Sequence, residues 1–186
     1  FLDVLAGNHK QSGRAYFFNG VDWYVRELSE GSNKDVRAVL LADLDNEGEL
    51  DGGWGGDAGN HLLLKNTDGS VPAVAGNLGN NAATRGMAVG DIDGDGDLDL
   101  FLGGGVYPGK YPESSKSAIY LQNGPQFVPD SSNAKILFGL GIVNGAVWSD
   151  LDADGYPELI TAGHWQPVRI FKNEKGILKN VTKEMG

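Results

Sequence analysis

Short apolar runs separated by turns rich in Gly, Asn and Asp recur along the whole chain of 186 residues. The runs "VRAVLLAD", "RGMAVGD" and "GAVWSD" each lead into an acidic stretch, and "LDGGWGG", "LDLFLGGG" and "PELITAG" lead out of it. A third run then ends in Asn and a turn: "HLLLKNTDG", "AIYLQNG" and "VRIFKNEKG", marked by Asn66, Asn123 and Asn173. A shorter fourth run, as in "ILKNVT", closes each unit. Runs this short, rich in β-branched and aromatic residues and bounded by turn formers, predict strands. None approaches the roughly 18 apolar residues of a membrane-spanning helix.

The acidic stretches begin at Asp43, Asp91 and Asp150, 48 and 59 residues apart. The marker Asn lies 23, 32 and 23 residues further on, which predicts an insertion of nine in the middle copy. The N-terminus reads as a copy entered partway: "FLDVLAG" with Asp3, "RAYFFNG" with Asn19, and "WYVREL" supply strands two, three and four. That makes 15 strands where four complete units would have 16. The units span residues 1–35 (partial), 36–83, 84–144 and 145–186 of a single β region, 1–186. Four short strands per unit of about 40–50 residues is the pattern of a β-propeller blade. A plain β-sandwich supplies turns at similar spacing but no reason for one motif to recur at a fixed place in the unit. The expectation is an all-β fold of about four propeller blades belonging to a larger propeller. Further chain or a partner would then be needed to close its exposed sheet edges.

The acidic stretches are "DLDNEGELD", "DIDGDGDLD" and "DLDADGYPE". Carboxylates concentrated this densely repel one another unless a cation joins them. Oxygen ligands on alternate positions around a glycine turn suit calcium, which takes six to eight hard oxygens. The expected side-chain ligands are Asp43, Asp45, Glu47 and Asp51; Asp91, Asp93, Asp95 and Asp99; and Asp150, Asp152, Asp154 and Glu158. The carbonyls of Glu49, Asp97 and Tyr156 would each add one more. Glu47 is longer than the Asp its position favours, so the loop at Asp43 is expected to bind most weakly. An EF-hand begins alike but needs a bidentate Glu at position 12, where Trp54, Leu102 and Thr161 stand here. Zinc would call for His or Cys, and magnesium is poorly suited to an all-protein cage. The remaining alternative is an acidic, solvated turn without metal.

Composition narrows the partners. The formal net charge of −10 speaks against nucleic acid and anionic membrane surfaces. The three motifs hold 14 of the 25 acidic residues, so one divalent cation in each would leave −4. Glycine, 29 of 186 residues, is more than twice its usual share and points to many tight turns. Without cysteine there is no disulfide framework and no thiolate chemistry.

The acidic units resemble the FG-GAP/VCBS calcium-binding repeats of integrin-α-type propellers, whose loop reads D-x-D-x-D-G-x-x-D. The stretches "LDLFLGGGVYPGKYPESSKSAIYLQNG" and "AVWSDLDADGYPELITAGHWQPVRIFKN" are similar to bacterial VCBS-repeat proteins related to cartilage acidic protein. The resemblance covers essentially the whole chain. It implies a calcium-stabilised propeller of seven or so blades, secreted or displayed on the cell surface, that recognises a protein or glycan. It also implies that the loop joining strands two and three opens on the ligand-binding face. His9, His61 and His164 read as lying in that loop, with Trp165 beside the last. The middle unit places Tyr107, Lys110 and Tyr111 of its insertion there. Rings, amides and imidazoles in neighbouring loops suit stacking on, and hydrogen bonding to, a sugar. The other function class is a portion of a polysaccharide lyase, although the carboxylates look committed to metal rather than to acid–base work. On strand position, Trp23 and Trp148 are expected in the core.

Overall fold

The structure, a computed structural model, describes residues 4–7, 13–18, 21–27, 35–46, 48, 50–57, 59–63, 76–78, 83–124 and 126–185. His9, Glu47, Glu49, Asp3, Asn19 and Asn66 lie outside these residues. The described chain is all-β, with fifteen strands in four small antiparallel sheets and one helix of four residues. Each sheet is a simple meander in which consecutive strands are hydrogen-bonded neighbours. No described helix is long and apolar enough to cross a membrane.

Contacts divide the chain into two compact units, Phe1–Thr84 and Arg85–Gly186. The first holds a three-stranded sheet of β1 (Val4–Ala6), β2 (Arg14–Phe18) and β3 (Trp23–Glu27). It also holds the sheet of β4 (Val36–Ala42), β5 (Asp51–Gly56), β6 (Gly59–Leu63) and β7 (Gly76–Asn77). The second contains the sheet β8 (Thr84–Gly90), β9 (Asp99–Gly104), β10 (Ala118–Asn123) and β11 (Gln126–Pro129). After α1 (Ala134–Leu137) comes the sheet β12 (Val143–Ser149), β13 (Glu158–Gly163), β14 (Arg169–Glu174) and β15 (Ile177–Asn180).

Repetition extends to the register. β4 and β12 carry the same irregularity, between Val36 and Ala38 and between Val143 and Gly145. Both end opposite the last acidic residue of their loop, Ala42 facing Asp51 and Ser149 facing Glu158. A register shift would turn every side chain to the wrong face, so its reuse shows one packing solution applied twice.

The core of the second unit lies between its two sheets. Ile92, Phe101, Ile119 and Leu137 meet Val143, Leu159, Phe171 and Leu178, with Leu121 and Trp148 packed against them. Each of the largest of these side chains contributes about 1.5–3 kcal/mol by leaving water. Asn173, fully buried, ties the sheets together. Its Nδ2 donates to the Ile92 carbonyl at 2.8 Å, and its Oδ1 accepts the Gly176 N–H at 2.8 Å.

Three expectations need correction. Trp23 is 49% exposed rather than core, while Trp54 on the central strand β5 is 4% exposed. Beside the turn glycines, others serve packing: a Cβ at Gly56, Gly163 or Gly104 would lie 1.9, 1.9 or 2.2 Å from the carbonyl oxygen of Asp35, Ile142 or Ser115. These glycines sit at the ends of second strands, where neighbouring backbone leaves no room for a side chain. The third-strand marker is misplaced by one residue in the middle sheet. Tyr120 pairs with Leu100 and Phe171 with Leu159, so Gln122, not Asn123, is the counterpart of Asn173. By the same pairing the middle insertion is eight residues rather than nine.

Candidate metal centres and the loops at the far end of the sheets

Each acidic loop joins the first two strands of a sheet, and its tight curl follows from two left-handed backbone positions. Position 6 is glycine in every copy, with φ of 88° at Gly48, 95° at Gly96 and 91° at Gly155. Position 4 is left-handed too, with φ of 61° at Asn46, 82° at Gly94 and 59° at Ala153. Sequence reasoning found the first and missed the second, because three different residue types fill it.

The curl brings three carboxylates together in each loop. One oxygen from each of Asp43, Asp45 and Asp51 lies within 4.8 Å of the others. The same holds for Asp91, Asp93 and Asp99, and for Asp150, Asp152 and Glu158. Each group could hold a metal ion. In the two loops where position 5 is described it does not join them: Asp95 Oδ1 accepts the Asp97 N–H at 2.9 Å and Asp154 Oδ1 accepts the Tyr156 N–H at 2.9 Å.

Position 9 has a second task. Asp51, Asp99 and Glu158 are buried, and each accepts the N–H of position 2 at 2.7–2.8 Å, from Leu44, Ile92 and Leu151 respectively. The other oxygen of Asp99 accepts the Gln122 N–H at 2.9 Å, and that of Glu158 the Asn173 N–H at 3.4 Å. Position 1 braces the turn: Asp91 accepts the N–H groups of Gly94 (2.8 Å) and Gly96 (3.1 Å), Asp150 those of Asp154 (3.1 Å) and Gly155 (3.0 Å), and Asp43 that of Gly48 (2.9 Å). Backbone donors thus hold the carboxylates in place.

The donor set fits a hard cation. All side-chain donors are carboxylate oxygens, and Asp43 Oδ1 is buried with no hydrogen-bond partner. Burial and then the charges of Asp93 and Asp95 push the Asp99 carboxyl up to about 6, against two lowering backbone hydrogen bonds. Partial desolvation and the neighbouring Asp95 raise Asp93 as well. In the loop at Asp150 the balance is reversed. Lys172 Nζ donates to Asp152 and lies 3.7 Å from Asp154, which holds Asp152 below the ordinary carboxylate range.

The loops between second and third strands emerge at the other end of each sheet. In the second unit they gather three of the expected ligand residues. Trp165 Nε1 donates to Tyr111 Oη at 2.5 Å, and the His164 ring stands edge-on to Tyr111 with centroids 6.5 Å apart. The two ring systems stay open to solvent, Trp165 at 90% and Tyr111 at 57% exposure. The Trp165 backbone is itself left-handed, φ 58°, an uncommon conformation for a bulky residue. Lys110 Nζ lies 6.0 Å from the centroid of the Tyr107 ring within the same insertion. The His164 N–H is anchored on the Ile142 carbonyl at 3.0 Å. His61 departs from its expected place in a loop: it lies within β6, opposite Trp54.

No protein-family model matches the chain, and no curated protein matches it.

Proposed function

We propose that the chain is a run of calcium-stabilised β-propeller blades of the FG-GAP/VCBS kind, a non-catalytic module that recognises a glycan or protein outside the cell. The observation that carries this reading is the threefold recurrence of one cradle. Positions 1, 3 and 9 converge, and position 9 grips the N–H of position 2, in the loops at Asp43, Asp91 and Asp150. An acidic turn kept for solubility has no need to repeat that geometry. Calcium would be held by these nine carboxylates, and its charge would relieve their mutual repulsion and fix the start of each second strand.

Recognition is assigned to the opposite loops because they gather open ring faces beside hydrogen-bonding groups, at Tyr111, His164 and Trp165. Two measurements test the reading. Calcium near a millimolar would exceed a Kd of about 10⁻⁵–10⁻⁴ M by 10- to 100-fold, stabilising the fold by about 1.4–2.7 kcal/mol per site. A melting temperature indifferent to chelator would reject the calcium role. Binding on a glycan array that Trp165→Ala abolishes, with melting unchanged, supports the recognition surface; binding unaffected by that change removes it.

A further inference from the structure

The two acidic loops of the second unit differ in one neighbour. In register, the residue after Phe171 is Lys172, and the residue after its counterpart Tyr120 is Leu121. Strand alternation sends Lys172 away from the buried Phe171 and Asn173, and its ammonium comes to rest on the loop at Asp150. There it bonds Asp152, one of the three converging carboxylates, and approaches Asp154 at 3.7 Å. Leu121 is packed against the apolar core and brings no charge to the loop at Asp91.

We propose that Lys172 is a tethered counter-ion which a divalent cation must displace from the loop at Asp150, and that the loop at Asp91 has no such competitor among the described residues. The inference rests on the metal reading above and adds what that reading leaves open, a ranking of two loops with the same cradle. An ammonium and a divalent cation that share the Asp152 carboxylate repel each other, so each weakens the hold of the other. The ion pair is largely solvent-exposed, with side chains 36% and 44% exposed, so its competition is modest and weakens with added salt. Removing the amine should tighten the loop at Asp150 by about two- to fivefold, within the range of exposed ion pairs.

Calcium titration by calorimetry of the wild type, Lys172→Met and Lys172→Arg tests this. The expected result is one class of sites tightened in Lys172→Met, unchanged in Lys172→Arg, with the gap closing at high salt. A second readout needs no variant: the rate of acetylation of Lys172, followed by peptide mass spectrometry, should rise when calcium is added, as the amine is released. Calcium binding with identical isotherms in all three proteins, or an acetylation rate that calcium leaves unchanged or lowers, overturns the proposal while the metal reading stands. No calcium binding in any of the three overturns both.

Discussion

The loops at Asp91 and Asp150 share a cradle, a curl and a neighbour, yet settle their charge in different ways. Among the described residues no lysine or arginine pairs with Asp91, Asp93 or Asp99, and Asp93 and Asp99 are pushed toward the protonated form. Asp150, Asp152 and Glu158 have Lys172 for company, and Asp152 is pushed toward the ionised form. The loops also touch, Tyr156 of one packing over Gly94 of the other. Their backbones are nearly the same, so the contrast comes from the third strand that passes each loop, which brings Lys172 to one and Leu121 to the other. The acidic consensus alone does not determine it.

The largest effect that separates the loops should come from position 9. Asp99→Ala leaves the N–H groups of Ile92 and Gln122 buried and unpaired, whereas Glu158→Ala releases one short and one long hydrogen bond. Measured by denaturant unfolding in chelator, we expect Asp99→Ala to cost about 2–4 kcal/mol and Glu158→Ala less. Equal costs would mean that the second hydrogen bond contributes nothing. Asp93→Ala, which breaks only a 3.3 Å contact within its own loop, should lose calcium affinity with far less effect in chelator.

Asn173→Ala comes next. It removes the donor to the Ile92 carbonyl and the acceptor for Gly176, and so loosens the next sheet from the loop at Asp91. A loss of about 2 kcal/mol is expected. It should come with faster amide exchange in residues 91–99 than in 150–158; uniform loosening of both loops would count against a directed coupling.

Acidification should act on the two loops with opposite sign. In chelator, Asp99 has a folded-state value of about 6 against an ordinary 3.8, so its contribution is present below about pH 4 and lost as pH rises through 6. Asp152 is lowered, so its contribution is present above the ordinary value and lost as pH falls below it. Carboxyl NMR titrations of the two residues check the signs, and saturating calcium should bring the Asp99 titration down below its metal-free midpoint.

Much of this was legible before any coordinates. The all-β character, the small meanders and the convergence of positions 1 and 3 with position 9 follow from period-2 patterning and a glycine at position 6, both local signals. What escaped depends on neighbours. Position 4 is left-handed at Asn46, Gly94 and Ala153, and no residue type announces it. The one-residue error at Asn123 arose because similar letters, "QNG" and "KNEKG", flank different turns; only the pairing of Tyr120 with Leu100 resolves it. Gly56 and Gly163 look like turn glycines until the carbonyls of Asp35 and Ile142 appear against them. Trp23, on a strand with alternating apolar residues, is exposed on its sheet nonetheless. Lys172 passes for an ordinary surface lysine unless the loop beside it is known.

The smallest predicted effect isolates the backbone from the charge. Position 4 is glycine in one loop and alanine in the other, at φ of 82° and 59°. An L-residue in this region costs roughly 1 kcal/mol, partly offset on removal by the extra freedom that glycine gives the unfolded chain. Ala153→Gly should therefore stabilise by about 0.5 kcal/mol. Gly94→Ala should destabilise by about 1 kcal/mol, since it takes on the same strain and its Cβ would meet the Tyr156 ring at 2.8 Å. The ring can swing aside, so the backbone cost dominates, and Tyr156→Ala should rescue Gly94→Ala only in part. Neither substitution touches a carboxylate, so calcium-free stability should move while calcium affinity changes little. If Ala153→Gly instead shifts calcium affinity severalfold, the backbone at position 4 governs ion binding directly, and the difference between the two loops cannot be ascribed to Lys172 alone.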